Sequence, residues 1–272
     1  MNVHLLIIDP QNDFCDPTTG ALYVGGADQD MNRLADMIDR LGSSISDIHV
    51  TLDSHHLNDI AHPNWWRDSA GNPPSPFTII TAADVENQVW TTTVPGLYRR
   101  SLEYVRSLES NQRYPLCIWP PHCLIGTNGA AIWPRLMTSL NKWAASENST
   151  IDFVTKGSNV FTEHYSAVKA DVPDPLDPTT QINTRLIDVL HSADKIAIAG
   201  EASSHCVANT VRDIADAFGN DSYVKKLVFI SDASSPVTGF EQYSDSFIKE
   251  MTARGMQMST TADFLVRQMA TV

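Results

Sequence analysis

Four side chains able to do chemistry stand at or just beyond the ends of short apolar runs. Asp9 closes VHLLIID, Asp53 closes DIHVTLD with His55 two residues on, Lys156 closes IDFVTK, and Cys206 follows KIAIAG through Glu-Ala-Ser-Ser-His. If a helix begins at 206, as the pattern of 206–218 predicts, the thiol sits in its first turn. There unpaired backbone N–H groups and the positive end of the helix dipole favour a thiolate. The same amides can hold an oxyanion. An ordinary thiol is mostly protonated at neutral pH, so it needs a base and a cation nearby, and Asp9 and Lys156 are the candidates. The aspartate would take the proton, while the lysine would keep it ionised at rest and steady negative charge as it develops. A buried cysteine acting as a small hydrophobe is the commoner fate of a free thiol, and it suits Cys15, Cys117 and Cys123. The small residues leading to Cys206 let backbone approach a ligand and favour the reactive reading.

A second constellation lies in TLDSHHLNDIAHPNWW (51–66) and IWPPHCLIGTNGAAIWP (118–134). A strand-end Asp53-x-His55 puts two ligand side chains on one side of an extended chain. His122, from a loop, is the candidate third ligand of an open metal site. His56 and His62 read as satisfied polar residues.

These side chains need a frame that brings strand ends together. Apolar runs rich in β-branched residues occur at 3–9, 47–53, 151–156, 195–200, 226–232 and 256–261. Between or after them, helical period marks 28–41, 130–145, 181–192, 206–218, 240–253 and 262–269. Strands alternating with helices predict a three-layer, Rossmann-like α/β domain: a mostly parallel six-stranded sheet with helices on both faces. Ligands of such a sheet gather beyond the carboxyl ends of the strands, where these four side chains fall. The chain reads as one domain, 1–272, with an insertion or lid at 67–118. A surface loop at 169–181 carries three prolines and three aspartates.

At 272 residues and 42% hydrophobic, the chain can bury a large core. A net charge of −13 argues against a nucleic-acid surface or an anionic membrane face. The partner expected is a small molecule, or another copy in a homo-oligomer. The apolar start is too short to span a bilayer and lacks the pattern of a secretion signal, which predicts a soluble, cytoplasmic protein. In a reducing compartment the four scattered cysteines read as free thiols.

Together these pieces resemble the nicotinamidase (pyrazinamidase) branch of the isochorismatase-like cysteine hydrolases. The matching segments are IIDPQNDFC…GALYVGGA (7–27), the D-x-H, WPPHCLIGTNGAAIWP (119–134), TKGSNVFTEHYSA (155–167), GEASSHCVANTVRDIADAFG (200–219) and ISDASSP (230–236). The resemblance implies a Cys206-Asp9-Lys156 triad and a divalent metal held by Asp53, His55 and His122, usually zinc but sometimes iron or manganese. It implies Phe14 and Trp119 as rings flanking the substrate. It also implies a cis peptide at Glu201-Ala202, and an oxyanion held by the amides of Ala202 and Cys206. The activity implied is hydrolysis of nicotinamide to nicotinic acid and ammonia through a thioester. Ser54 and His56 stand where the branch commonly has Trp and Pro, and Ser203-Ser204-His205 differs from the usual Thr-Asp and aliphatic residues. A related amidase or carbamoyl hydrolase is therefore the alternative. From other classes come a hydrolase using metal-bound water, with Cys206 incidental, and a non-catalytic binding scaffold.

Overall fold

The computed structural model describes residues 1–111 and 113–266. Six strands form one sheet: β1 (Val3–Ile8), β2 (Asp47–Asp53), β3 (Asp152–Lys156), β4 (Lys195–Gly200), β5 (Leu227–Ile230) and β6 (Gln257–Ser259), in the order β6-β5-β4-β1-β2-β3. Every pairing in it is parallel. The helices are α1 (Ala27–Leu41), α2 (Tyr98–Ser110), α3 (Pro134–Glu147), α4 (Thr184–Ser192), α5 (Cys206–Ala217) and α6 (Glu241–Arg254), with shorter turns between them. All six predicted strands are present. So are five of the predicted helices, with ends shifted by up to four residues. Residues 262–265 of the helix expected at 262–269 are turns, and 267–272 lie outside the described residues.

Strand order and right-handed crossovers set the layers. The connections from β1 to β2 and from β2 to β3 step one way along the sheet, placing α1 and α3 together on one face, where they pack side by side. Those leading to β4, β5 and β6 step the other way, placing α4, α5 and α6 on the opposite face. Sandwiched between the two, β1 is buried at all six positions and β5 at all four. That is why both read as unbroken apolar runs. On α1, Met31, Leu34, Ala35, Ile38 and Leu41 form the stripe that faces the sheet.

The direction of winding reverses between β1 and β4, opening a crevice at their carboxyl ends. Asp9 leaves β1 there, and the segment leading to Cys206 leaves β4 there. Gly200, paired with Ile8, has φ +112°, and a Cβ at its position would lie 2.0 Å from the Ile8 carbonyl oxygen. The two strands approach this closely only because residue 200 has no side chain.

The 67–118 segment packs around small antiparallel strand pairs, Trp66–Arg67 with Thr91–Thr92 and Ile79–Ile80 with Leu116–Cys117, together with α2. Arg113 anchors it to Asp171 at 3.0 Å and Asp213 at 3.2 Å. The irregular 169–181 segment is exposed at Leu176 yet buried at Asp171, the partner of Arg113. No helix among the described residues is long and apolar enough to cross a membrane.

Gly200→Ala is expected to lose more than about 3 kcal/mol of stability, through the combined cost of a left-handed non-glycine residue and overpacking against β1. Urea denaturation of the variant beside the wild type measures it.

Candidate active site

The strand ends converge as the sequence implies. Asp53 and Lys156 are register partners on β2 and β3, so their side chains leave the sheet side by side. The Lys156 ammonium lies 2.8 Å from Asp9 Oδ2, 3.0 Å from Asp53 Oδ1 and 3.6 Å from Cys206 Sγ, with 1% of its side chain exposed. One Asp9 carboxylate oxygen and the Cys206 sulfur are within 4.8 Å of each other. Cys206 is the first residue of α5. Among the described residues, neither its backbone N–H nor that of Ala202 donates a hydrogen bond. The Glu201–Ala202 peptide is cis.

Asp9 adopts φ +46°, uncommon for a residue with a side chain. Its N–H donates to Thr51 O and Thr51 Oγ1 at 3.2 and 3.1 Å, and the Thr51 hydroxyl donates to Asp9 Oδ1 at 2.5 Å. Gln11 clamps the neighbouring strand end: its Nε2 donates to Asp53 O and its Oε1 accepts from Asp53 N–H, both at 2.7 Å.

The two carboxylates sit in different fields. Burial raises Asp9 above the usual carboxylate range, more than Lys156 lowers it. Burial would raise Asp53 too, but His55 and Lys156 outweigh it and hold that carboxyl well below the ordinary value. Burial likewise drives the Cys206 thiol well above its ordinary value, with Lys156 opposing. Lys156 itself stays charged, because Asp53 and Asp9 overcome the cost of its burial. At rest the thiol keeps its proton, with the Asp9 carboxylate close by.

Asp53, His55 and His122 form a compact donor set. His55 Nε2 is 3.0 Å and His122 Nε2 is 3.5 Å from Asp53 Oδ2, and all three donor atoms lie within 4.8 Å of one another. Each histidine commits its other nitrogen elsewhere: His55 Nδ1 to Asp59 Oδ2 at 3.2 Å, and His122 Nδ1 to the Pro120 carbonyl at 2.9 Å. That turns both Nε2 atoms toward one point beside Asp53 Oδ2, where, freed of their protons, they can serve as lone-pair donors to a metal ion. His122 is placed because residues 123–125 run beside His55 as a short parallel strand would: His55 N–H donates to Cys123 O and Ile125 N–H to His55 O, both at 3.1 Å.

The cavity over Cys206 is tight, about 20 Å³, and is lined by Phe14, Trp119, Tyr165, Glu163, His205 and Val237 beside Asp53 and His122. That volume suits one water, so an aromatic ring enters only as wall side chains shift. Phe14 and Trp119 both form part of the cavity wall. His56 is exposed, whereas His62, expected to be a satisfied polar residue, is buried, and among the described residues its Nε2 has no partner. Its ring lies 5.2 Å from that of His55 and 5.6 Å from that of His122. Cys15, Cys117 and Cys123 are buried free thiols, as expected.

The sequence reading missed Thr51, Gln11, Asp59, Glu163 and a wall role for His205. Asp59 alone carried a local signal, four residues after His55. Burial, with Asp59 and Asp53 adding to it against His55, pushes Glu163 up to about 8, and its Oε2 has no partner among the described residues. Burial lowers His205 to about 3, so it is neutral at physiological pH. The 67–118 segment backs these walls: Glu163 N–H donates to Tyr104 OH at 3.0 Å, Tyr114 meets His205, and Phe77 meets Trp119.

Comparisons with known proteins agree with the fold. No family model matches the chain. The nicotinamidase of Escherichia coli strain K12 is 26% identical over 265 residues, covering 96% of this chain and 95% of that protein. The yeast nicotinamidase bound to the inhibitor nicotinaldehyde superposes with a TM-score of 0.65 at 19% identity, covering 95% and 99% of the two chains. The pyrazinamidase of Pyrococcus horikoshii in complex with zinc gives 0.55 at 17% identity, covering 96% and 99%. The chain has the isochorismatase-like fold of these solved structures. Within that fold, its likeness is to the nicotinamidase branch, and it extends over nearly the whole length.

Asp59→Asn is expected to weaken binding of a divalent ion at the Asp53 site by about 10–100-fold, the usual consequence of removing the carboxylate that orients a ligating histidine. Titration of the chelator-stripped protein with the ion checks this.

Proposed function

We propose that the protein is a nicotinamidase, a cysteine amidohydrolase that converts nicotinamide and water to nicotinic acid and ammonia. The observation carrying this reading is the single buried ammonium of Lys156, which touches Asp9, Asp53 and the Cys206 sulfur at once. It joins a nucleophile, a base and a metal-ligand trio in one site.

In the reaction, Asp9 takes the thiol proton and the Cys206 thiolate attacks the carboxamide carbon. The amides of Ala202 and Cys206 hold the resulting oxyanion, and Lys156 steadies the charge. Asp9, now an acid, protonates the leaving nitrogen; ammonia departs and a thioester remains on Cys206. Asp9 then takes a proton from water, which attacks the thioester and releases the carboxylic acid and the thiol. Asp53, His55 and His122 would hold the divalent ion, and zinc suits two imidazoles and a carboxylate with an open position. Such an ion supplies Lewis-acid positioning of the substrate's ring nitrogen. Phe14 and Trp119 flank the ring and exclude water. The 67–118 segment acts as a specificity element, since it supports the walls at Glu163, His205 and Trp119 and so sets the size of amide admitted.

Ammonia release from nicotinamide, pyrazinamide and carbamoyl compounds tests the reading. Nicotinamide turnover is expected, falling by about four orders of magnitude in Cys206→Ala or Asp9→Asn, as when a member of a catalytic triad is lost. Turnover retained in Cys206→Ala would instead assign the attack to a metal-bound water.

A further inference from the structure

We propose that the chain carries a second divalent-ion site, formed by His4, Asp47 and His49 at the amino-terminal edge of the sheet, and that it takes an ion of zinc's class. His4 lies near the start of β1 and Asp9 just past its end, so at about 3.3 Å per residue this cluster is some 16 Å from the active site.

The register builds the cluster. His4 pairs with Asp47 across β1 and β2, and His49 follows two residues on, so all three project from one face. His4 Nδ1 is 3.0 Å from His49 Nε2, Asp47 Oδ2 is 3.7 Å from that same Nε2, and the three donor atoms lie within 4.8 Å of one another. Ligands at zinc's usual bond lengths in tetrahedral geometry lie about 3.3 Å apart, so little adjustment would close the site. Both histidines are buried, while Asp47 is half-buried and gives an ion a way in.

The outer groups match those of a ligating histidine. His49 Nδ1 is 2.9 Å from Asp152 Oδ2, and Asp152 is held by Arg185, with Nη2 2.6 Å from Oδ1. His55 meets Asp59 in the same way at the first site. With its Nδ1 proton given to Asp152, His49 presents a bare lone pair at Nε2. His4 can place a proton there from Nδ1, but the Asp47 carboxylate also faces that lone pair, and among the described residues its Oδ2 accepts no hydrogen bond. A cation between these two electron-rich groups, 3.7 Å apart, would satisfy both at once. The ion enters when the His4 proton moves to its own Nε2, a tautomer change with no change in charge, which leaves three donors aimed at one point.

The full-length chain, stripped with chelator, dialysed against zinc, freed of unbound ion and assayed by mass spectrometry for metal, tests this. The wild type is expected to hold one zinc per chain more than Asp47→Asn or His4→Gln. Asp152→Asn is expected to weaken that extra ion by about 10–100-fold. Reading the difference makes the result independent of loading at Asp53 and of nicotinamide turnover, which should stay within about twofold of wild type in the Asp47 and His4 variants. Should His4→Gln fail to fold, Asp47→Asn, which changes a half-buried side chain, still decides the matter. Equal zinc content in wild type and the folded variants would overturn the proposal and leave a proton as the cation shared by the cluster.

Discussion

An ammonium group sealed from water between two carboxylates is the constraint on which the remaining structure depends. Lys156 Nζ meets Asp9 and Asp53 at 2.8 and 3.0 Å with almost none of its side chain exposed. Removing either carboxylate would leave a poorly compensated buried charge, a loss of about 3–5 kcal/mol in comparable sites. One cation facing two anions also forces them apart in behaviour. Asp53, turned toward His55 and His122, is held ionised, while Asp9, turned toward Cys206, is pushed up and is the one able to carry a proton. Environments that separate two like groups in this way assign acid–base roles. Lys156 thus ties the Asp9–Cys206 pair to the Asp53, His55 and His122 donor set.

The fold supplies the placement at little distance from its own regularities. Parallel pairing sets Asp53 beside Lys156, and the reversal of winding between β1 and β4 sets Asp9 beside the segment leading to Cys206. The Gln11 amide continues the β1–β2 pairing past the strand ends, making two hydrogen bonds to the backbone of Asp53 as another strand would. The step from Gly200 to Cys206 leaves regular structure, and it presents beside the sulfur two amides with no acceptor among the described residues.

Much of this was legible because local pattern specifies it. Apolar runs ending in Asp9, Asp53 and Lys156 marked both the strands and the reactive edge, and the helical period from residue 206 put the thiol on a first turn. Side chains that act through distant partners left no such trace. Glu163 belongs to the cavity because burial and the Tyr104 hydroxyl, 59 residues away, fix it there. Gln11 reads as an ordinary polar residue until β1 and β2 are adjacent. His62 reads from sequence as a satisfied polar residue, yet Trp65 and Trp66 follow it into the core and carry it beside the rings of His55 and His122, where its Nε2 has no partner among the described residues. The turns at 261–265 show the weakness of period over a short window, where a few apolar residues fit helix and turn alike.

The central claim is that Cys206, set beside Asp9 and Lys156, is the nucleophile toward a carbonyl carbon on a pyridine ring. The direct measurement is a carbon-13 spectrum of pyridine-3-carbaldehyde, labelled at the aldehyde carbon and bound to the protein. A nucleophilic sulfur adds to that carbon, so the signal should move from the carbonyl to the tetrahedral region and revert in Cys206→Ala. A bound aldehyde whose carbon stays trigonal in the wild type, or becomes tetrahedral equally well without the sulfur, would contradict the account.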